Sequence, residues 1–347
     1  MIEQLQQKIR QAAQARAPLR LRGGGTKDFY GNALRGEVLD TRAYAGIVAY
    51  EPTELVVTAK CGTPLGELEA TLSANRQMLP FEPPRFGAGA TLGGCVAAGL
   101  SGPRRASAGA LRDFVLGVKL IDGRGQALNF GGQVMKNVAG YDVSRLVAGS
   151  LGTLGLIAEV SLKLAPTPAH EITLVLEAPQ ARALELMNRW AGQPLPLSAT
   201  AWHDGELRVR LSGSAAAVRA AAAGLGGEAT DAGFWAGVRE HTDAFFAGEE
   251  PLWRLSLPST TPPLELEGRQ LIEWNGALRW LKSGIPAHAV RDAARRVKGH
   301  ATLFRAADKS VTCFAPLEPV VERLHRQLKA AFDPAGIFNP GRMLAEH

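Results

Sequence analysis

The stretch Leu19-Arg20-Leu21-Arg22-Gly23-Gly24-Gly25-Thr26-Lys27 constrains this chain more than any other. Leu19 and Leu21 alternate with Arg20 and Arg22, the period of two expected of a half-buried strand. The strand then enters three glycines. Lacking a Cβ, glycine reaches positive φ freely, so successive N–H groups can turn toward one point. Such nests hold anions, and Arg22, Thr26 and Lys27 add charge and a hydroxyl beside this one. Taken alone, a triple glycine is more often a hairpin or a bulge. The case for phosphate turns on the rest of the chain.

Two more glycine-rich stretches follow. Gly87-Ala88-Gly89-Ala90-Thr91-Leu92-Gly93-Gly94-Cys95-Val96-Ala97-Ala98-Gly99 approaches a dinucleotide fingerprint and misses it. Leu92 stands where the third glycine belongs, and no strong strand precedes the segment, which argues against a Rossmann domain. Neither glycine loop ends in Gly-Lys-Ser/Thr, so there is no Walker pattern. Small residues here signal a close backbone approach, to a ligand or to another part of the chain, and both readings stay open. The third cluster, Gly149-Ser150-Leu151-Gly152-Thr153-Leu154-Gly155, feeds a strand expected over 156–164. All three clusters precede Pro168, where the texture changes.

Ile2, Leu5, Ile9 and Ala12 mark one face of a short helix that ends before Pro18. Strands are expected at 46–50, 55–59, 114–121 and 127–130, the last two joined through Asp122-Gly123. A helix is expected to begin near Pro64, because proline suits a first helical turn. Beyond Pro168 the pattern reads as a strand at 172–177, a helix at 181–190, two strands about Asp204-Gly205 and a helix at 214–224. A hairpin about Asn275-Gly276, a helix at 287–298 and a strand at 301–304 follow. Helices on one face of an antiparallel sheet account for this order, with Trp274 and Trp280 in the core of the sheet. A last helix is expected over 317–332. The expected domains are 1–168, 169–310, and a terminal helical segment 311–347 that returns to the first.

Composition narrows the function classes. Hydrophobic residues at 46% and charged residues at 21% describe an ordinary globular chain. The net charge of +6 comes from scattered residues, without the basic stripe of a nucleic-acid binder, and a bound dinucleotide or acidic substrate accounts for it equally well. Cys61, Cys95 and Cys313 lie far apart, so the chain cannot ligate an iron–sulfur cluster alone and suggests no disulfide framework. That fits a reducing compartment and a cytoplasmic location. The longest weakly polar run, 87–100, is too short to span a membrane, and the N-terminus lacks a signal peptide's apolar centre. Any membrane association is expected to be peripheral, through partners.

The three glycine clusters, in this order, resemble the FAD-binding domain of the vanillyl-alcohol-oxidase and p-cresol-methylhydroxylase (PCMH) superfamily. The fold this resemblance implies is α+β: a two-subdomain PCMH-type FAD-binding domain, then a smaller antiparallel α+β cap domain and a C-terminal helix. The loop of Arg22, Gly23, Gly24, Gly25, Thr26 and Lys27 resembles the family's pyrophosphate loop. Thr91, Gly93 and Gly94 resemble its second flavin-contacting turn, with Pro83 shortly before it. Gly109, Arg112, Asp113 and Val115 match the segment beside that turn, and Gly152, Gly155 and Ile157 the third. Asp333-Pro334 to Asn339-Pro340-Gly341-Arg342 resembles the closing element of the family's lactate and glycolate branch. Two stretches, 20–31 and Val134-Met135-Lys136-Asn137-Val138-Ala139-Gly140-Tyr141-Asp142, are similar to the shorter, FAD-binding subunits of bacterial glycolate oxidases. That resemblance implies FAD as cofactor, and as partners a longer FAD-type subunit and an iron–sulfur subunit. It further implies glycolate, or another small 2-hydroxy acid, as the substrate of the complex.

One departure matters. Catalytic members of the 2-hydroxy-acid branch carry Gly-His-x-Gly-Asp-Gly-Asn, whereas this chain has Gly299-His300-Ala301-Thr302-Leu303-Phe304-Arg305. A lone His300 cannot build a three-ligand metal site, so no metal is expected, no catalytic residue is assigned, and His300 reads as structural. The flavin is expected to be non-covalent, with Cys95 a packing residue. Tyr141 and Asp142 either hydrogen-bond their own loop or face the flavin ring; Arg104 either balances phosphate charge or does nothing so particular. Two other functions stay in view. One is a stand-alone flavin reductase of the enolpyruvyl-UDP-sugar type, which would need a serine proton donor; the other is a structural subunit with a vestigial flavin site.

Overall fold

The helix Ile2–Ala15 buries Leu5, Ile9 and Ala12 along one face, the spacing of an amphipathic helix. These side chains join Leu19, Leu39, Ile121, Ala158 and Phe338 in one apolar cluster, so the N-terminal helix is part of a core built from distant segments. The computed structural model describes residues 1–132 and 142–344. Lys136, Asn137 and Tyr141, singled out above, lie outside the described residues. Two units emerge, one of residues 1–100, 110–167 and 316–347, the other of 101–109 and 168–315.

In the first unit, β1 (Leu19–Arg22) pairs in parallel with β2 (Glu37–Asp40). There follow β3 (Ile47–Glu51), β4 (Val56–Lys60), β5 (Gln77–Met78), β6 (Val115–Ile121), β7 (Ala127–Gly131), β8 (Leu156–Lys163) and β9 (Ala165–Pro166). Five of them form an antiparallel sheet in the order β3-β4-β8-β6-β7, while β5 pairs with β9. The turn between β6 and β7 is organised by Asp122, whose Oδ1 accepts from Arg124 N at 2.9 Å and Gln126 N at 2.8 Å. The helix Leu65–Ala74 begins after Pro64 and buries Leu65, Leu68 and Leu72. The stretch read as a second glycine turn is instead a helix, Leu92–Ala98, capped by Thr91 and closed by Gly99 at φ 64°. Its glycines permit close packing rather than a turn: a Cβ on Gly93 would stand 2.6 Å from that of Cys61.

The second unit is built on β10 (His170–Glu177), β11 (Leu197–His203), β12 (Glu206–Gly213), β13 (Glu228–Thr230), β14 (Leu252–Ser256), β15 (Arg269–Glu273), β16 (Leu278–Lys282) and β17 (His300–Arg305). They form one antiparallel sheet in the order β13-β10-β12-β11-β15-β16-β14-β17. Helices Gln180–Ala191 and Ala215–Leu225 cover the face that carries Leu174, Leu207, Val209 and Leu211. The expectation of helices on one face only fails here. The helix Gly233–Glu240 lies on the other face, where Trp235 packs on Ala199 and Ala201 and its Nε1 donates to Thr173 Oγ1 at 2.9 Å. Residues 101–109, placed in the first domain from sequence, belong to this unit. Trp274 Nε1 donates to Gly102 O at 3.0 Å, Arg105 lies 4.5 Å from the Trp274 ring centre, and Arg104 pairs with Glu171 at 2.8 Å. That pair engages Arg104 within this unit. Trp274 and Trp280 are both buried, as expected.

Candidate functional site

The glycine loop leaves β1 and is fastened at once. Asp28 takes an ion pair from Arg20 and another from Arg22 Nε at 2.9 Å, so both strand arginines fold over the loop that follows them. Thr26 Oγ1 donates to Arg85 O at 2.7 Å, and Lys27 Nζ donates to the same carbonyl at 3.2 Å. A Cβ on Gly24 would stand 1.5 Å from Gly89 O, and one on Gly23 2.2 Å from Thr91 Oγ1. Gly25 sits at φ 72°, where a Cβ would stand 2.0 Å from Arg22 Nη2, so all three glycines are demanded by the chain before any ligand is considered. Their amides are a different matter. The N–H groups of Gly23, Gly24 and Gly25 make no hydrogen bond to any described residue. The first-turn amides of the Leu92–Ala98 helix contrast with them: Leu92 N donates to Thr63 O and Gly93 N to Cys61 O. The open donors belong to the loop, not to the helix end.

The third glycine cluster is tied to that helix by Leu151 N donating to Ala97 O at 2.8 Å and Gly149 N donating to Val96 O at 3.0 Å. The chain's closing turn completes the wall. Asn339 Nδ2 donates to Leu151 O at 2.6 Å, and its Oδ1 accepts from Leu21 N at 2.8 Å, joining the third cluster to β1. Asp333 holds the turn itself, accepting from Ile337 N at 3.1 Å and Phe338 N at 2.7 Å and pairing with buried Lys329 at 2.6 Å. Arg342 spans to Asp28 O at 3.0 Å and to Asn32 O.

These segments enclose two clefts of about 90 and 60 Å3 that share Arg22, Gly23, Gly94, Leu151 and Asn339. Of the residues expected to hold cofactor, Arg22, Gly23, Gly24, Gly25, Thr26, Lys27, Thr91 and Gly94 line the larger cleft. Gly93, Gly152, Gly155 and Ile157 line the smaller one. The others lie elsewhere: Pro83 is buried outside the clefts, Gly109 falls in the second unit, Arg112 and Asp113 are exposed, and Val115 is buried at the start of β6. Sequence reasoning missed Thr41, Cys61 and Leu151 as lining residues. Asn339 and Arg342 carried a signal, the closing motif, but no role at the cleft.

The larger cleft carries three cations, Arg22, Lys27 and Arg342, against one carboxylate, Asp28. That excess and the open amides suit a diphosphate. Burial pushes the thiols of both Cys61 and Cys95 up to about 12, so both stay protonated at neutral pH. Cys95 does not line either cleft. Asp142, expected either to hydrogen-bond its own loop or to face the flavin ring, accepts locally from Ser144 Oγ at 2.7 Å and Arg145 N at 3.1 Å. His300 stands at the start of β17, opposite Ser256, and its pKa is lowered below the usual 6.5 by partial desolvation and then by the charge of Arg254. Among the described residues no three His, Cys, Asp or Glu side chains are placed to hold a metal.

Comparison with known proteins agrees with this geometry. The FAD binding domain family matches residues 1–131. The chain is 48% identical over 342 residues to the glycolate oxidase subunit GlcE of Escherichia coli (strain K12), covering 99% of this chain and 97% of that protein. It is 31% identical to the glycolate oxidase subunit GlcD of Bacillus subtilis (strain 168) over 46% of this chain, spanning only 34% of that longer protein. A solved alkyldihydroxyacetonephosphate synthase shares the fold with a TM-score of 0.69 at 15% identity, over 97% of this chain and 75% of that one. The chain belongs to the family of the glycolate oxidase subunit GlcE, and its cofactor is FAD.

Proposed function

We propose that this chain is the FAD-binding subunit of a complex that oxidises glycolate, or a related 2-hydroxy acid, and passes the electrons from flavin to an iron–sulfur subunit. The observation that carries the reading is the row of open amides at Gly23, Gly24 and Gly25 inside a cationic cleft. When bound, the flavin supplies hydride acceptance and electron release, chemistry no side chain of the protein offers. The chain's own part is to bind and orient. The amides of Gly23 to Gly25 would donate to the pyrophosphate, with the loop held by the Thr26 hydroxyl on Arg85 O; Arg22, Lys27 and Arg342 would balance its charge; Asn339 fixes the spacing between β1 and Leu151; Ile157 and Leu151 would keep water from the inner wall. Pro83, Arg112, Asp113 and Val115 line neither cleft.

Substrate chemistry falls to the longer subunit. His300 stands without the acidic residues that accompany it in catalytic relatives, which favours a supporting or relay role. No helix among the described residues is long and apolar enough to cross a membrane, so membrane contact in this reading comes through partners. Reconstitution tests the proposal. The chain with FAD alone should leave glycolate and an artificial acceptor unreacted, and adding it to the GlcD-type and iron–sulfur subunits should restore turnover. Oxidation by the isolated chain at the rate of the complex would overturn the supporting role.

A further inference from the structure

Asp28 is out of place in a seat for an anion. It is the single carboxylate among the described residues lining the larger cleft, and by charge alone it opposes a diphosphate. Its surroundings give it another task. Oδ2 accepts from Arg20 and, at 2.9 Å, from Arg22 Nε, while Oδ1 takes no hydrogen bond from a described residue. The backbone of Asp28 is fixed apart from these pairs: its N donates to Gly25 O at 3.1 Å, and its O accepts from Arg342 Nη2 at 3.0 Å. The turn thus sets the carboxylate where both strand arginines meet it, and the side chain can be changed without releasing the turn.

Arg22 is held by Nε alone. Its Nη1 and Nη2 donate to no described residue. The guanidinium lies against Gly25, where a Cβ would stand 2.7 Å from Arg22 Nε, so the free end of a planar fork sits beside the row of open amides. Arg22 lines both clefts. A guanidinium gripped at Nε keeps both Nη groups for a second anion, and such forks engage phosphate oxygens in pairs. We propose that Asp28 is a positioning residue for the cofactor: it holds Arg22 so that Nη1 and Nη2 meet the diphosphate of FAD, while Arg20 offsets the charge that Asp28 brings. The proposal rests on the seat at Gly23 to Gly25 given above and adds to it the residue that sets its arginine.

The test titrates the full-length chain, stripped of flavin, with FAD and reads the dissociation constant from flavin fluorescence. Arg22→Lys keeps the charge and loses the fork, and should weaken binding about ten-fold, as loss of hydrogen bonds to a charged group does. Asp28→Ala should weaken it to a similar extent, although it removes a negative charge from an anion site. In the Arg22→Lys background the same change should no longer weaken binding and should tighten it, because only the charge of Asp28 is then left to remove. Asp28→Asn, which keeps an oxygen for Arg22 Nε, should hold FAD more tightly than Asp28→Ala. Wild-type or tighter binding by Asp28→Ala, or binding by Asp28→Asn no tighter than by Asp28→Ala, would overturn this inference and leave the seat intact. Equal weakening by Asp28→Ala in both backgrounds would overturn it too, making Asp28 a loop-packing residue only. Wild-type affinity in Arg22→Lys alone would overturn both this inference and the placing of the diphosphate beside Arg22.

Discussion

Asn339 joins stretches that lie 318 and 188 positions away from it in sequence, Leu21 and Leu151. It is 7% exposed and sits at φ 41°, a left-handed conformation that asparagine tolerates better than most residues. Replacing it with alanine takes their side-chain partner from the part-buried Leu21 N–H and Leu151 carbonyl. At about 1–3 kcal/mol for each when fully buried, and nearer the low end for these part-buried groups, Asn339→Ala should cost roughly 2–4 kcal/mol in denaturant unfolding and release flavin from the protein that remains folded. Wild-type stability and flavin content in that variant would remove Asn339 from the site. The glycines show what sequence reveals at this scale and what it hides. That Gly23 to Gly25 had to be glycine was legible in the run itself. That Gly24 is required by Gly89 O and Gly23 by Thr91 Oγ1 was not, because the contacting atoms come from a loop far along the chain. Loss of flavin in a Gly24 variant therefore reports on loop packing as much as on phosphate.

Among the elements, regular periodicity was readable and local exceptions were not. The helix Ile2–Ala15 and the buried strands β4 and β8 declared themselves through spacing and β-branched runs. The helix Leu92–Ala98 did not, because glycine and alanine carry no amphipathic pattern, and its boundaries come from the Thr91 cap and Gly99. The helix Gly233–Glu240 was missed for a related reason: Gly233 and Gly237 lower its intrinsic propensity, and burial of Trp235 and Val238 supplies what the sequence lacks. The open face of the five-stranded sheet makes its own prediction. Burial disfavours the charge on Glu159, but Lys119 Nζ at 2.8 Å and Tyr44 OH at 2.6 Å outweigh it, holding its carboxyl below the usual 4.5. A carboxyl depressed in the folded state stabilises above its unfolded pKa, and that contribution is lost as pH falls through the folded value. Glu159→Gln should therefore lower stability at neutral pH and flatten the loss of stability below pH 4.5, measured by unfolding across that range. An unchanged acid limb would show that the Lys119–Glu159–Tyr44 group contributes nothing to pH dependence.

At the scale of the molecule, cofactor and catalysis separate. The cofactor seat proposed above is assembled from β1, the Leu92–Ala98 helix, the third glycine cluster and the closing turn, segments drawn from nearly the whole length of the chain. Sequence named three of those four as a site and quoted the fourth, Asn339 to Arg342, without a role for it, since only folding brings the C-terminal turn to the loop after β1. Catalytic residues were not legible and none is assigned. The central claim is that the FAD pyrophosphate lies on the amides of Gly23 to Gly25. Hydrogen exchange at those amides, compared between FAD-loaded and flavin-stripped protein, tests it most directly. The account predicts fast exchange without flavin, since these N–H groups have no partner among the described residues, and marked slowing when FAD is bound. Equal exchange rates in the two forms, with FAD bound at one per chain, would contradict it.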